Sequence, residues 1–191
     1  MKTKEFTFKS ATGVCDIYGC RYTPDDDAVK AVIAINHGMA EHQARYRDFV
    51  SFLTSNGFAV YMHDMANHGK SNNDKNLTGY FGKKDGYKAL VKDFDSVVKI
   101  AKTDYPDKKL VIMGHSMGSF IVRCYTAWYP NAGFDGAIYM GTGGSNPIAG
   151  VGDFVSSLIA KVTGYKKKVA LLDKMTFGST INLKSALHLI G

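Results

Sequence analysis

The sequence predicts one α/β domain, a mostly parallel sheet covered by helices on both faces. Three observations predict it. Residues 31–35, 58–62, 110–113 and 137–140 are short, unbroken apolar runs, the pattern of strands buried on both faces. The segments between them carry apolar residues at helical spacing. Gly57, Pro106 and Pro130 stand where those helices should stop.

In chain order, residues 6–22 read as two strands around a turn at Thr12-Gly13, followed by a polar loop at 24–27. The first buried strand, 31–35, leads to a helix over 46–56 with Tyr46, Phe49, Val50 and Leu53 on one face. Strand 58–62 and a polar loop come next. A helix over 87–103 then places Leu90, Val91, Phe94, Val97, Val98 and Ala101 together. Strand 110–113 precedes a helix whose apolar stripe is Phe120, Ile121, Cys124, Tyr125 and Trp128, and strand 137–140 follows. The expected core therefore spans 1–144. After Gly141 a glycine-rich loop opens a different region, read as a cap over 145–179. It contains a short amphipathic stripe, Phe154, Val155, Leu158, Ile159 and Val162, and a weaker one at Val169, Leu171, Leu172 and Met175.

Composition bounds the function. At 45% hydrophobic and 21% charged, the chain can build a core and is not a disordered tail. The net charge of +7 permits attraction to anionic surfaces, but the basic residues are scattered. Only Lys166-Lys167-Lys168 form a run, read as solvated surface, so no nucleic-acid partner is expected. Cys15, Cys20 and Cys124 are odd in number and lack metal-ligand spacing, which fits free thiols in a reducing, cytoplasmic setting. The first residues lack the apolar stretch of a signal peptide, and no run reaches the ~20 residues of a membrane span.

The chemistry centres on Gly114-His115-Ser116-Met117-Gly118, a G-x-S-x-G pattern between a buried strand and an amphipathic helix. Small residues at both ends let strand and helix pack around a sharp turn. That turn would lift the Ser116 hydroxyl to a helix N-terminus, where free N–H groups favour developing negative charge. Ser116 is the expected nucleophile. His37-Gly38-Met39 ends an earlier buried strand, the position that supplies one backbone N–H of an oxyanion hole. The residue after the nucleophile supplies the other, so the amides of Met39 and Met117 are the expected donors.

Several motifs together carry a family resemblance. His37-Gly38-Met39-Ala40-Glu41-His42 with Arg45-Tyr46 resembles the H-G-x-x-E-H-x-x-R-Y motif of the monoacylglycerol lipase and lysophospholipase group. Residues 64–71 resemble its D-x-x-G-H-G-x-S motif, with Asn67 in place of a glycine, a residue that tolerates left-handed backbone. Gly114 to Ser119 and Phe177-Gly178-Ser179 resemble two more of its motifs. The resemblance implies the α/β-hydrolase fold and carboxylic-ester hydrolysis of monoacylglycerols or lysophospholipids. It implies no metal or cofactor, and transient membrane-surface contact through the cap. Some relatives instead cleave peptides after an N-terminal residue.

The triad is expected to be incomplete. Its order in this fold is Ser, then Asp or Glu, then His. After Ser116 only Asp135, Asp153, Asp173 and His188 remain, and none is well placed. His37 and His42 lie near the proposed site, His63 and His68 flank a loop and are expected to be structural, and His115 belongs to the serine turn; none of the five is expected to be the base. The family draws its acid and base from loops after further strands, which are expected to be absent here together with the last helix. A frame shift after Ser179 permits Tyr-Asn-Lys directly and later Arg-Thr-Ala-Phe-Asp-Trp, similar to what the family carries there. The segment 180–191 is therefore read as an out-of-frame or divergent tail, and the chain as poorly active. The rival reading is a non-catalytic binding protein that keeps the fold.

Overall fold

The computed structural model describes residues 1–74, 77–82 and 84–144. The expected cap 145–179, the tail 180–191 and His188 lie outside them. The strands are β1 (Lys2–Lys9), β2 (Asp16–Thr23), β3 (Ala31–Asn36), β4 (Phe58–His63), β5 (Leu110–His115) and β6 (Gly136–Met140). The helices are α1 (Arg47–Ser55), α2 (Gly86–Asp104) and α3 (Met117–Trp128), with single 3-10 turns at Gln43–Tyr46 and Gly69–Ser71. Residues 1–144 form one compact unit.

The sheet order is β1-β2-β4-β3-β5-β6. Strands β3, β4, β5 and β6 run parallel, while β1 and β2 pair antiparallel to each other and β2 pairs antiparallel to β4. Side chains alternate across each strand, so the two sheet faces have separate cores. Val32, Ala34, Ala59, Tyr61, Leu110 and Ile112 pack with α2 and α3, whereas Ile33, Ile35, Val60, Met62 and Met113 pack with Val50 and Leu53 of α1. The chain leaves β3 toward β4 on one side and later enters β5 on the other. The loops after β3 and β5 therefore part at a topological switch point at the carboxyl ends of the strands, the place where open α/β sheets bind ligands.

Local details depart from the expected pattern. A 3-10 turn occupies Gln43–Tyr46, so α1 begins at Arg47, and Phe49 stays 38% exposed beside Val50 and Leu53. The buried stripe of α3 is Ile121, Val122 and Tyr125, with Phe120 and Trp128 each 45% exposed. Helix α3 packs on α2 as well as on the sheet, which turns the stripe toward Val122. Trp128 instead lies against Tyr87 of α2, ring centroids 5.9 Å apart. Among the described residues β6 has β5 as its single neighbour, and Ile138, Tyr139 and Met140 are exposed.

Candidate functional site

The site is built where β5 turns into α3. Ser116 has φ 51° and ψ −120°, a region of backbone space that costs a non-glycine residue about 1–3 kcal/mol. Both flanking glycines are required by contact. A Cβ on Gly114 would lie 2.3 Å from the Gly118 carbonyl oxygen, and one on Gly118 would lie 2.3 Å from the Asn36 oxygen. The turn is held by the Ser116 N–H donating to Met140 O at 2.9 Å, and by the Ser119 hydroxyl donating to Ser116 O at 2.6 Å. Ser116 is thus half-buried at the first turn of α3, where backbone N–H groups lack helix partners.

The loop after β3 closes on this turn. A Cβ on Gly38 would sit 3.1 Å from the Ser116 Cβ, so the His37–Met39 backbone and the serine are immediate neighbours. This loop is laced to the loop after β4 in both directions. The Met65 N–H donates to His37 Nε2 at 2.9 Å, and the Ala40 N–H donates to His68 Nε2 at 3.3 Å. Each Nε2 is an acceptor, so each Nδ1 carries the proton, His37 toward Gly38 O at 2.7 Å and His68 toward Ala66 O at 3.0 Å. Burial depresses both histidines, His37 to about 4, which keeps the acceptor nitrogens unprotonated.

Asp64 anchors the second loop. Its carboxylate accepts the Gln43 N–H and the Lys70 N–H, each at 2.8 Å, and burial raises its pKa. Asn67 takes a left-handed φ of 55°, and its side-chain amide donates to Tyr80 O at 2.5 Å. The position that departs from the family's glycine therefore keeps the left-handed backbone.

Glu41, to which the sequence reading attached no role, is central. Its Oε1 accepts the Gly38 N–H at 2.5 Å, the Tyr46 hydroxyl at 2.7 Å and His115 Nδ1–H at 3.0 Å. Burial raises the Glu41 pKa, but the bonds from Tyr46, His115 and Gly38 outweigh it and the net shift is downward. The signal was its place in the H-G-x-x-E motif, three residues after Gly38. Asn36 was also missed, and His63 was expected only to be structural. Both are fully buried at the ends of β3 and β4, and their side-chain polar atoms have no hydrogen-bond partner among the described residues.

The histidines have other duties than meeting the serine. His37 and His68 lace loops, His115 bonds Glu41, His63 is buried beside Phe94 and His42 is exposed. Asp135 accepts the Leu110 N–H at 2.8 Å and pairs with Lys109 at 3.0 Å, at the start of β5 rather than its end. Five strand steps, about 17 Å, separate that end from the Ser116 end. Among the described residues no group of three His, Cys, Asp or Glu side chains is placed to hold a metal, and no helix is long and apolar enough to cross a membrane. Cys15, Cys20 and Cys124 form no disulfide.

The geometry has relatives. A monoacylglycerol lipase of Mycolicibacterium smegmatis is 32% identical over 169 residues, 87% of this chain and 54% of that protein. A monoglyceride lipase of Mus musculus is 32% identical over 102 residues, 53% of this chain and 32% of that protein. The solved structure of a thermostable carboxyl esterase from Bacillus coagulans, in complex with glycerol, superposes with TM-score 0.79 at 30% identity, covering 91% of this chain and 56% of that one. The chain therefore spans about half the length of these more extensive matches. The family profile described as serine aminopeptidase, S33, matches residues 27–177. With its switch-point topology, its serine turn and this match, the chain belongs to that serine aminopeptidase S33 family of α/β-hydrolase fold.

Proposed function

We propose that the protein is a serine hydrolase of carboxylic esters. Ser116 is its nucleophile, and the backbone amides of Met39 and Met117 are its oxyanion donors. The observation that carries this reading is the Ser116 turn, with φ 51° at a helix start and a neighbouring loop so close that a Cβ on Gly38 would lie 3.1 Å from the Ser116 Cβ. In the mechanism, Ser116 Oγ attacks the acyl carbonyl, the leaving alcohol departs with a proton, and water releases the acyl group from the serine. A serine hydroxyl is a weak nucleophile until a base takes its proton, and no described histidine is assigned that part. The acid and base are assigned to no described residue, and without them only a residual ~10³–10⁴-fold enhancement over water is expected.

The names of the relatives support monoacylglycerols as substrates, and lysophospholipids share the same acyl-ester chemistry. We place the protein in the cytoplasm, with transient membrane-surface contact and without a cofactor. The family description favours a second reading, peptide cleavage after an N-terminal residue.

The test is a fluorophosphonate probe, applied to this chain and to one continued in the shifted frame after Ser179. Labelling at Ser116 is expected, faster in the continued chain and abolished by Ser116→Ala. Equal labelling of the alanine variant would remove Ser116 from the role. Turnover of an aminoacyl anilide in preference to a monoacylglycerol would move the assignment to the peptide reading.

A further inference from the structure

One carboxylate oxygen bridges the two sides of the serine site. Glu41 Oε1 meets the Gly38 N–H from the loop after β3 and His115 Nδ1–H from the end of β5. Met39 follows the first of these contacts directly, and Ser116 and Met117 follow the second. Tyr46 supports the bridge from the turn before α1, its hydroxyl 2.7 Å from Glu41 and 3.0 Å from His115 Nδ1. The Glu41 side chain is only 13% exposed, so these bonds face little competition from water. Gly38 itself leaves no slack, because a Cβ there would come within 2.7 Å of Glu41 Oε1.

We propose that Glu41 is a positioning residue that sets the spacing between the Met39 and Met117 amides by holding the Gly38 loop to His115. It touches no reacting atom. Its work is done through Gly38 on one side and His115 on the other, with Tyr46 fixing the carboxylate in place. The proposal rests on the serine-hydrolase reading for its consequence but not for its geometry. An ionised carboxylate suits the role because it accepts all three donors at one oxygen. A glutamine keeps the shape and a neutral acceptor, and alanine keeps neither.

The experiment uses the 191-residue chain labelled with ¹⁵N, with Glu41→Gln and Glu41→Ala variants. Three quantities are read: the fluorophosphonate labelling rate at Ser116, exchange of the Gly38 amide, and the ring ¹⁵N shifts of His115. For Glu41→Ala, labelling is expected to slow about 10²-fold, the scale of a misplaced catalytic group. The Gly38 amide should exchange faster, and the His115 ring should lose its Nδ1–H signature. Glu41→Gln should fall between wild type and alanine on all three. Wild-type labelling rates in Glu41→Ala, alongside faster Gly38 exchange, would make the residue merely structural and overturn the proposal. Should wild type itself fail to label, the unassigned base accounts for it, and the bridge is judged on the other two readouts. Changes at Gly38 and His115 that do not occur together would then overturn the bridge.

Discussion

Two buried layers meet at the carboxyl ends of β3 and β4, one residue apart in sequence, and they are built on opposite terms. His37 and Asp64, just past the strand ends, have every polar contact filled by backbone N–H and C=O groups of the two loops. Asn36 and His63, the last strand residues, are just as buried and have no side-chain partner among the described residues. The register explains the split. Asn36 and His63 continue the row of Val32, Ala34, Ala59 and Tyr61 into the α2–α3 core, where His63 faces Phe94. The polar layer that shapes the site lies in the loops, and the polar pair inside the sheet contributes no bond to it.

The substitution with the largest expected effect strikes both layers at once. Gly118→Ala would push a Cβ to 2.3 Å from Asn36 O and 2.4 Å from His37 O, both backbone atoms that cannot step aside. We expect a loss of more than about 3 kcal/mol, read as insoluble or molten protein. A well-folded Gly118→Ala protein would mean that the elbow is looser than its contacts imply. Asp64→Ala comes next. It strands the N–H groups of Gln43 and Lys70, and a cost of about 3 kcal/mol should appear in the urea midpoint.

Acid titration separates the groups further. Burial lowers His37 to about 4 and His63 to about 3, from 6.5. Their contribution is therefore present above about pH 6.5 and lost as pH falls, because the unfolded chain takes protons that the fold refuses. Asp93 works in the opposite sense. It is raised from 3.8 to about 6 by burial against the β1–β2 turn, where it accepts Ser10 Oγ and Ala11 N. Its contribution is present below its unfolded value and lost as pH rises through about 6. Around pH 5 the unfolded chain holds two histidine protons that the fold refuses, against one that Asp93 holds only in the fold. These three groups together should therefore make stability fall by about 1.4 kcal/mol per pH unit there. Asp93→Asn should steepen that slope to about 2.7 kcal/mol per unit. Urea titrations at several pH values measure both slopes, and a flat wild-type profile would contradict the burial of the two imidazoles.

The smallest effect is the most diagnostic. Replacing both orphaned groups, as in Asn36→Leu with His63→Phe, should change stability by less than about 1 kcal/mol or raise it, since no bond is lost. His37→Phe, which strands Met65 N–H and Gly38 O, should cost about 2 kcal/mol. Similar losses from both replacements would erase the contrast between the layers.

Much of this was legible beforehand because strand burial leaves a local trace. The runs at 31–35, 58–62 and 110–113 are apolar on both faces, and each lies within a central parallel strand. The serine turn was legible because only small residues fit at Gly114 and Gly118. The stripe of α3 was misjudged, since it depends on where α2 packs and not on the helix's own spacing. The hydrogen-bond partners of His37 and His68 were beyond reach as well. A histidine after a strand reads alike whether it laces a loop, serves a serine or lies idle.

By itself, then, the sequence determined the order of strands and helices and the glycine-bounded turn at Ser116. These follow from short-range sterics and from patterns of burial that a single segment carries. Only the tertiary structure decided that Glu41 joins Gly38 to His115, that Asp135 bonds the Leu110 N–H at the start of β5, and that Asn36 and His63 are buried with no partner among the described residues. Hydrogen-bond partners across a fold are chosen by which strand ends the topology brings together. No local pattern records that choice.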